Sequence, residues 1–265
     1  MKTKNAGALF VLTMVLVSGC GQKPAENAPT GQTASSPAVD QAAAGIPQPP
    51  DPVTVATLRG KVFFQGSVPP AQEISVLGNP ECAVFHPNGK VRSEELLATD
   101  GALQNVFVYV KEGLEGRSFP APTAPLTIEN KNCVYVPHVT GAQVDQPVVF
   151  LNGDPTLHNV HTYSKNSKSW NLGLPIQGMK QTKKFEAPEV MVSLKCDVHP
   201  WMKGYIGVLP HPYFSVTGTE GRFEIKDLPP GDYVIEVWHE KLGVQSQKIK
   251  IEPQETKEIE FKFGA

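Results

Sequence analysis

The sequence predicts an all-β protein. Its 23 glycines and 25 prolines, spread through 265 residues, leave little room for long helices. From Val53 onward, short runs rich in Val, Ile, Phe and Tyr alternate with Gly/Pro turn signals. A single helical turn is expected, around Ser93–Thr99. Hydrophobic residues make up 40% of the chain, enough for a packed core. The length exceeds one ordinary domain, so two units, or one carrying an insertion, are expected. With 24 Lys+Arg against 26 Asp+Glu the net charge is −2, and no cluster of basic residues is present. That balance excludes nucleic-acid binding, which needs concentrated Lys/Arg against phosphate.

The first segment reads as an address. Lys2 and Lys4 precede an apolar run from Ala8 to Val17, then Ser18-Gly19-Cys20. This order describes a secretory signal over residues 1–19, with an apolar stretch too short to span a bilayer. The ending VSGC resembles a bacterial lipobox. That resemblance implies that Cys20 becomes the first mature residue and carries diacylglycerol; the alternative is an ordinary cleaved signal with an incidental cysteine. Residues 20–52 hold almost no large apolar side chain and are dominated by Pro, Ala, Gln and Ser. Such a segment cannot bury enough surface to offset its chain entropy, so it reads as a disordered tether. Gly21 after the cysteine points to an outer membrane, if the cell has one.

Strands are expected at Gly60–Phe64, Val106–Val110, Leu126–Ile128, Val148–Leu151 and Val190–Lys195. Five more are expected at Tyr205–Leu209, Arg222–Ile225, Tyr233–Val237, Lys248–Ile251 and Glu258–Phe263. The tail TGTEGRFEIKDLPPGDYVIEVWHEKLG resembles the carboxypeptidase regulatory-like, transthyretin-type β-sandwich. LRGKVFFQGSVPP and LQNVFVYVKEG look like opening strands of the same unit. Residues 53–119 and 213–265 are therefore expected to form one discontinuous sandwich, with residues 120–212 inserted as a second. Three consecutive small units are the alternative, although the tail alone has few strands with which to close a sandwich. Sequential domains, with Gly60–Phe64 and Tyr233–Val237 in separate sheets, would contradict the insertion.

The chemistry sits in the inserted part. VMVSLKCDVHPWMKGYIGV holds Cys196, His199 and Met202 in a C-x2-H-x2-M array, and FLNGDPTLHNVHTYSKN supplies His158-Asn159 some forty residues earlier. One imidazole on one loop, with Cys, His and Met on a second tight loop, is the ligand set of a His2Cys trigonal copper site with a weak axial thioether. Alternation along VMVSLKC puts Val190, Val192, Leu194 and Cys196 on one face, so the thiol points inward. These residues resemble the blue copper cupredoxins, most closely amicyanin, over about ninety residues. The resemblance implies a Greek-key β-sandwich with one type-1 copper ion. His158, Cys196 and His199 would be equatorial ligands and Met202 the axial one, with Asn159 linking the two ligand loops by hydrogen bonds. His161 lies three residues from His158, so its side chain points to the opposite face of an extended segment and is expected to be a surface or structural imidazole.

Cys82 and Cys133 remain. In an exported protein two spare cysteines read as a disulfide, but each has a histidine nearby, so a second metal site from Cys82, His86, Cys133 and His138 stays open. His211 and His239, beside aromatic residues at strand ends, are expected to pack at the domain junction.

Together these features predict an exported protein, held to a bacterial membrane by lipid and facing the periplasm or cell surface. It would carry single electrons between redox partner proteins and would not be an enzyme. The family resemblance implies electron exit at an exposed edge of His199, with Trp201, Pro200, Pro155 and Leu157 as a small apolar docking patch. Two other classes remain open: a copper chaperone or sensor, and a carbohydrate- or surface-binding module using Tyr213, Phe214, Tyr233 and Trp238 as a stacking platform.

Overall fold

Valine, isoleucine and aromatic residues in alternation with polar ones drive most of the chain into strands. The structure, a computed structural model, describes residues 54–264. The expected signal, Cys20 and the tether lie outside the described residues. The all-β class holds, and strands form at all ten expected places.

Two sheets enclose a first core. In one, β1 (Ala56–Phe64) pairs antiparallel with β17 (Arg222–Leu228), parallel with β20 (Thr256–Phe263) and, at its end, with β5 (Ala102–Leu103), which pairs β4 (Ala98–Thr99). In the other, the order is β16 (Phe214–Val216), β6 (Phe107–Glu112), β18 (Gly231–His239) and β19 (Gly243–Ile251). Leu58, Val62, Val108, Val110, Phe223, Ile225, Ile235, Val237 and Phe261 meet between them. Gly60–Phe64 and Tyr233–Val237 thus lie in separate sheets, but these sheets are two layers around one core.

Two further sheets enclose a second core. One runs β13 (Lys180–Lys183), β10 (Val148–Asn152), β7 (Leu126–Lys131) and β8 (Val134–Val136). The other runs β12 (Asn171–Leu174), β11 (His158–Tyr163), β14 (Glu189–Lys195), β15 (Lys203–Leu209) and β9 (Val139–Gln143). Ile128, Tyr135, Phe150, Val160, Leu174, Val192, Leu194 and Ile206 fill the space between. A small hairpin of β2 (Glu73–Ser75) and β3 (Lys90–Arg92) adds Val76, Cys82 and Val91 to this core. Those three residues fall inside 53–119, the stretch expected in the discontinuous sandwich with 213–265, yet they pack on the second core.

Two details differ from the sequence reading. The helical turn forms at α1 (Pro80–Ala83) instead of Ser93–Thr99, part of which is strand β4. Pro80 in the first turn, with its fixed φ, starts the turn at low cost. Val190 is 38% exposed, whereas Val192, Leu194 and Cys196 are buried. The register of β14 against β15 shifts between Glu189 and Val192, so the alternation begins only after that irregularity.

The sheets β16-β6-β18-β19 and β12-β11-β14-β15-β9 meet through Phe107, Tyr109, Val139 and Leu209, with Phe214 and Trp238 at the margin. Gly141 and Gly207 make that contact possible. A Cβ on Gly141 would stand 2.4 Å from the Phe214 ring, and one on Gly207 2.4 Å from the Phe107 ring.

Candidate metal centre

Two loops of the second sandwich carry the predicted ligands. His158 opens β11, directly after the turn Gly153–Leu157. Cys196 follows the last residue of β14, and the chain turns back into β15 at Lys203. That return is tight because it closes on itself: Met202 N–H donates to His199 O at 2.9 Å, and Cys196 N–H to Met202 O at 3.3 Å. His158, Cys196, His199 and Met202 are all buried.

The donor atoms of His158, Cys196 and His199 lie within 4.8 Å of one another. His199 Nδ1 stands 3.0 Å from His158 Nδ1 and 3.7 Å from Cys196 Sγ. Nitrogen and sulfur donors bound to one ion at about 2.0–2.3 Å would stand roughly 3.3–3.8 Å apart, a range that holds the sulfur–nitrogen separation, with the nitrogen–nitrogen one just below it. A soft thiolate with two imidazoles in this arrangement fits copper by its chemistry.

The local electrostatics favour the ligating form of the sulfur and the protonated form of His158. His158 Nε2–H donates to Asp154 Oδ2 at 2.9 Å, which leaves Nδ1 as the free donor nitrogen. Burial pushes the His158 pKa down, but the Asp154 carboxylate and Cys196 outweigh it and raise it overall. Burial likewise pushes the Cys196 thiol up; its bonds to His158 and His199 prevail and bring it to about 6. The sulfur is therefore thiolate, the ligating form, at neutral pH.

Asn159 joins the two loops. Its Oδ1 lies 3.3 Å from Cys196 Sγ and accepts from Asp197 N–H at 2.7 Å. Its Nδ2 donates to Asp197 Oδ2 and to Asn171 Oδ1. His161 faces the other side of β11, with Nδ1 3.2 Å from the Asp197 carboxylate and its ring stacked on Tyr163.

Cys82 and Cys133 form a disulfide. Their sulfurs are thus bonded to each other, and the histidines suggested beside them point elsewhere. His86 Nε2 lies 2.9 Å from Asn132 O, while His138 pairs with Glu240 and lies 3.1 Å from Lys203 O through Nδ1. The four-residue alternative metal site does not assemble. His211 and His239 are buried: His211 bridges Val110 O and Tyr213 N–H, and His239 accepts from Lys241 and Leu242 N–H.

Two expectations about surfaces change. His199 is only 2% exposed, because the Trp201 ring and the disulfide sulfurs pack beside it, so it presents no open edge. Leu157, Pro155 and Pro200 are exposed and Trp201 is half-buried. Tyr213 and Tyr233 belong to the first core, and Phe214 and Trp238 pack at the contact between sheets, so no aromatic platform forms.

Sequence reasoning missed Asp154, Cys133 and Tyr135 as parts of the site's surroundings. Asp154 accepts from His158, and Tyr135 Oη–H donates to Asn159 O at 2.6 Å. The one available signal was a carboxylate four residues before a candidate ligand.

No family model and no curated protein matches the chain. Among solved structures it is similar to a copper-containing nitrite reductase from Thermus scotoductus SA-01, at 23% identity over 34% of this chain and 23% of that one, with a TM-score of 0.31. It is also similar to a purple cupredoxin from Nitrosopumilus maritimus, at 24% identity over 31% of this chain and 98% of the other, TM-score 0.27. A reduced amicyanin variant aligns at 17% identity over 38% of this chain and 97% of its own length, TM-score 0.30. The chain thus spans about a quarter of the nitrite reductase.

Proposed function

We propose that the protein is an exported, lipid-tethered electron carrier that holds one copper ion in a type-1 site. The observation that carries this reading is the buried convergence of His158, Cys196 and His199 from two loops. Copper held there supplies a one-electron Cu(I)/Cu(II) couple. The residues do the rest. Cys196 offers a thiolate at neutral pH, Asp154 orients the His158 ring through Nε2, and Asn159 ties the loops through Asp197 so that the donors keep one geometry. Met202, buried in the same closed turn, would supply the fourth donor, a thioether sulfur. Fixed donors minimise rearrangement when one electron is gained or lost.

In the same proposal Cys20 anchors the chain, residues 20–52 give it reach, and the copper sandwich 120–212 is inserted between 53–119 and 213–265. The insertion is supported by a core that gathers residues from both flanks of the metal-bearing segment, Leu58 and Val110 with Phe223 and Phe261. A redox protein would dock on Leu157, Pro155, Pro200 and Trp201, and electrons would pass through this covered edge. No residue is assigned a catalytic role.

Optical absorption and EPR of the full chain loaded with Cu(II) test the site. An intense thiolate-to-copper band with narrow copper hyperfine splitting is expected, bleached by ascorbate and absent in Cys196→Ser. A colourless, tetragonal Cu(II) spectrum would overturn the reading in favour of copper handling.

A further inference from the structure

The Cys82–Cys133 disulfide lies against the metal centre. Its sulfurs and a His199 ring nitrogen fall within 4.8 Å of one another. The backbone of Cys133 also reaches both ligand loops. Its N–H donates to Asp154 Oδ2 at 2.8 Å, the same oxygen that stands 2.9 Å from His158 Nε2. Its carbonyl accepts from Trp201 Nε1 at 3.0 Å, and Trp201 lies between His199 and Met202. Asn132 N–H adds a bond to the other Asp154 oxygen at 2.7 Å.

This turn needs support. Asn132 and Cys133 have φ of 54° and 56°, a left-handed conformation that residues with a side chain rarely hold for two positions running. The turn aims two consecutive N–H groups at one carboxylate, so its relaxation would release Asp154 and with it the ring of His158. The β7–β8 ladder holds the ends of this turn, and the covalent link to Cys82, which sits in α1 and is buried in the second core, ties Cys133 itself to that core.

We propose that this disulfide is the positioning brace of the metal centre. Through the N–H of Cys133 and Asp154 it orients His158; through the carbonyl of Cys133 and Trp201 it holds the turn that carries His199 and Met202. The proposal rests on the copper reading of His158, Cys196 and His199. Conserving the brace conserves the donor geometry, and loss of outer contacts of this kind commonly lowers metal affinity by about 10–100-fold.

The full chain, its Cys82→Ser/Cys133→Ser variant and its Trp201→Phe variant would be compared after copper loading. Two readouts apply: competition for Cu(I) against a chelator, and the EPR hyperfine splitting of the Cu(II) form. Folded Cys82→Ser/Cys133→Ser protein is expected to hold copper about 10–100-fold more weakly and to show a wider splitting. Trp201→Phe, with the disulfide intact, is expected to move both readouts the same way by about tenfold or less in affinity. Unchanged affinity and splitting in the folded double variant would overturn the brace. If that variant does not fold, unchanged values in Trp201→Phe overturn it instead. Failure of the copper reading looks different: the unmutated chain would then lack a thiolate band that depends on Cys196.

Discussion

Asn159 uses its whole amide on the other candidate ligand loop and the neighbouring strand: Oδ1 receives Asp197 N–H and lies 3.3 Å from Cys196 Sγ, and Nδ2 donates to Asp197 and Asn171. Buried polar groups that lose their partner keep the full cost of desolvation, about 1–3 kcal/mol. Asn159→Ala is therefore expected to lower the metal-free folding free energy by about 1–3 kcal/mol and to weaken copper binding by roughly tenfold. Urea unfolding and chelator competition would measure the two effects. A variant as stable and as tightly metallated as the parent would show that the loops hold their geometry without this amide. Asn159 was legible as the neighbour of His158 in the HN pair, but the three residues its amide meets, Cys196, Asp197 and Asn171, come from two other segments.

At the scale of elements, the link from β8–β9 to the β18–β19 turn is a buried ion pair. His138 bonds Glu240, with Glu94, Glu95, Lys203, Lys241, His239 and Tyr205 around them. Burial lowers the His138 pKa, but the bond to Glu240 and the charges of Glu240 and Glu94 outweigh it and raise it. A histidine raised in the folded state contributes fully below its unfolded value of about 6.5 and loses that contribution as pH climbs through the folded value. Glu94, raised mainly by burial, acts with the same sign. The difference in melting temperature between the parent and Glu240→Gln is thus expected to be largest near pH 6 and to shrink toward pH 9. A difference that grows with pH would contradict this assignment. Neither Glu240 nor Glu94 stands out in the sequence, since their partner His138 is more than forty residues from Glu94 and a hundred from Glu240.

Across the described residues, two cores share one chain, and the first carries two buried neutral histidines. Burial pushes His211 and His239 each down to about 4. Both take up a proton near pH 6.5 when unfolded and resist it when folded. Their contribution is complete above pH 6.5 and is lost as pH falls toward 4, about 2–3 kcal/mol for each. Urea unfolding at pH 7 and pH 4.5 should show this loss, and a folded His239→Gln variant should lose less. Equal pH sensitivity in parent and variant would mean that His239 is already accessible to protons in the folded protein.

The sequence by itself determined the all-β class and the places of ten strands, because hydrophobic period and turn residues are local properties. It also brought out His158, Cys196, His199 and Met202, since three of the four share one seven-residue turn and the fourth carries its own HN marker. It did not separate the other ten strands of the described residues, among them β11, whose His and Asn side chains disguise a strand, and the two small strands beside α1. Tertiary structure alone decided that residues 73–92 pack on the second core, that His199 is covered, and that Asp154 and Cys133 stand behind the candidate ligands. Those contacts join residues far apart in the chain through backbone groups and burial, and neither leaves a mark on residue type or spacing. A cysteine pair can suggest a bond; only the fold can place that bond against a histidine.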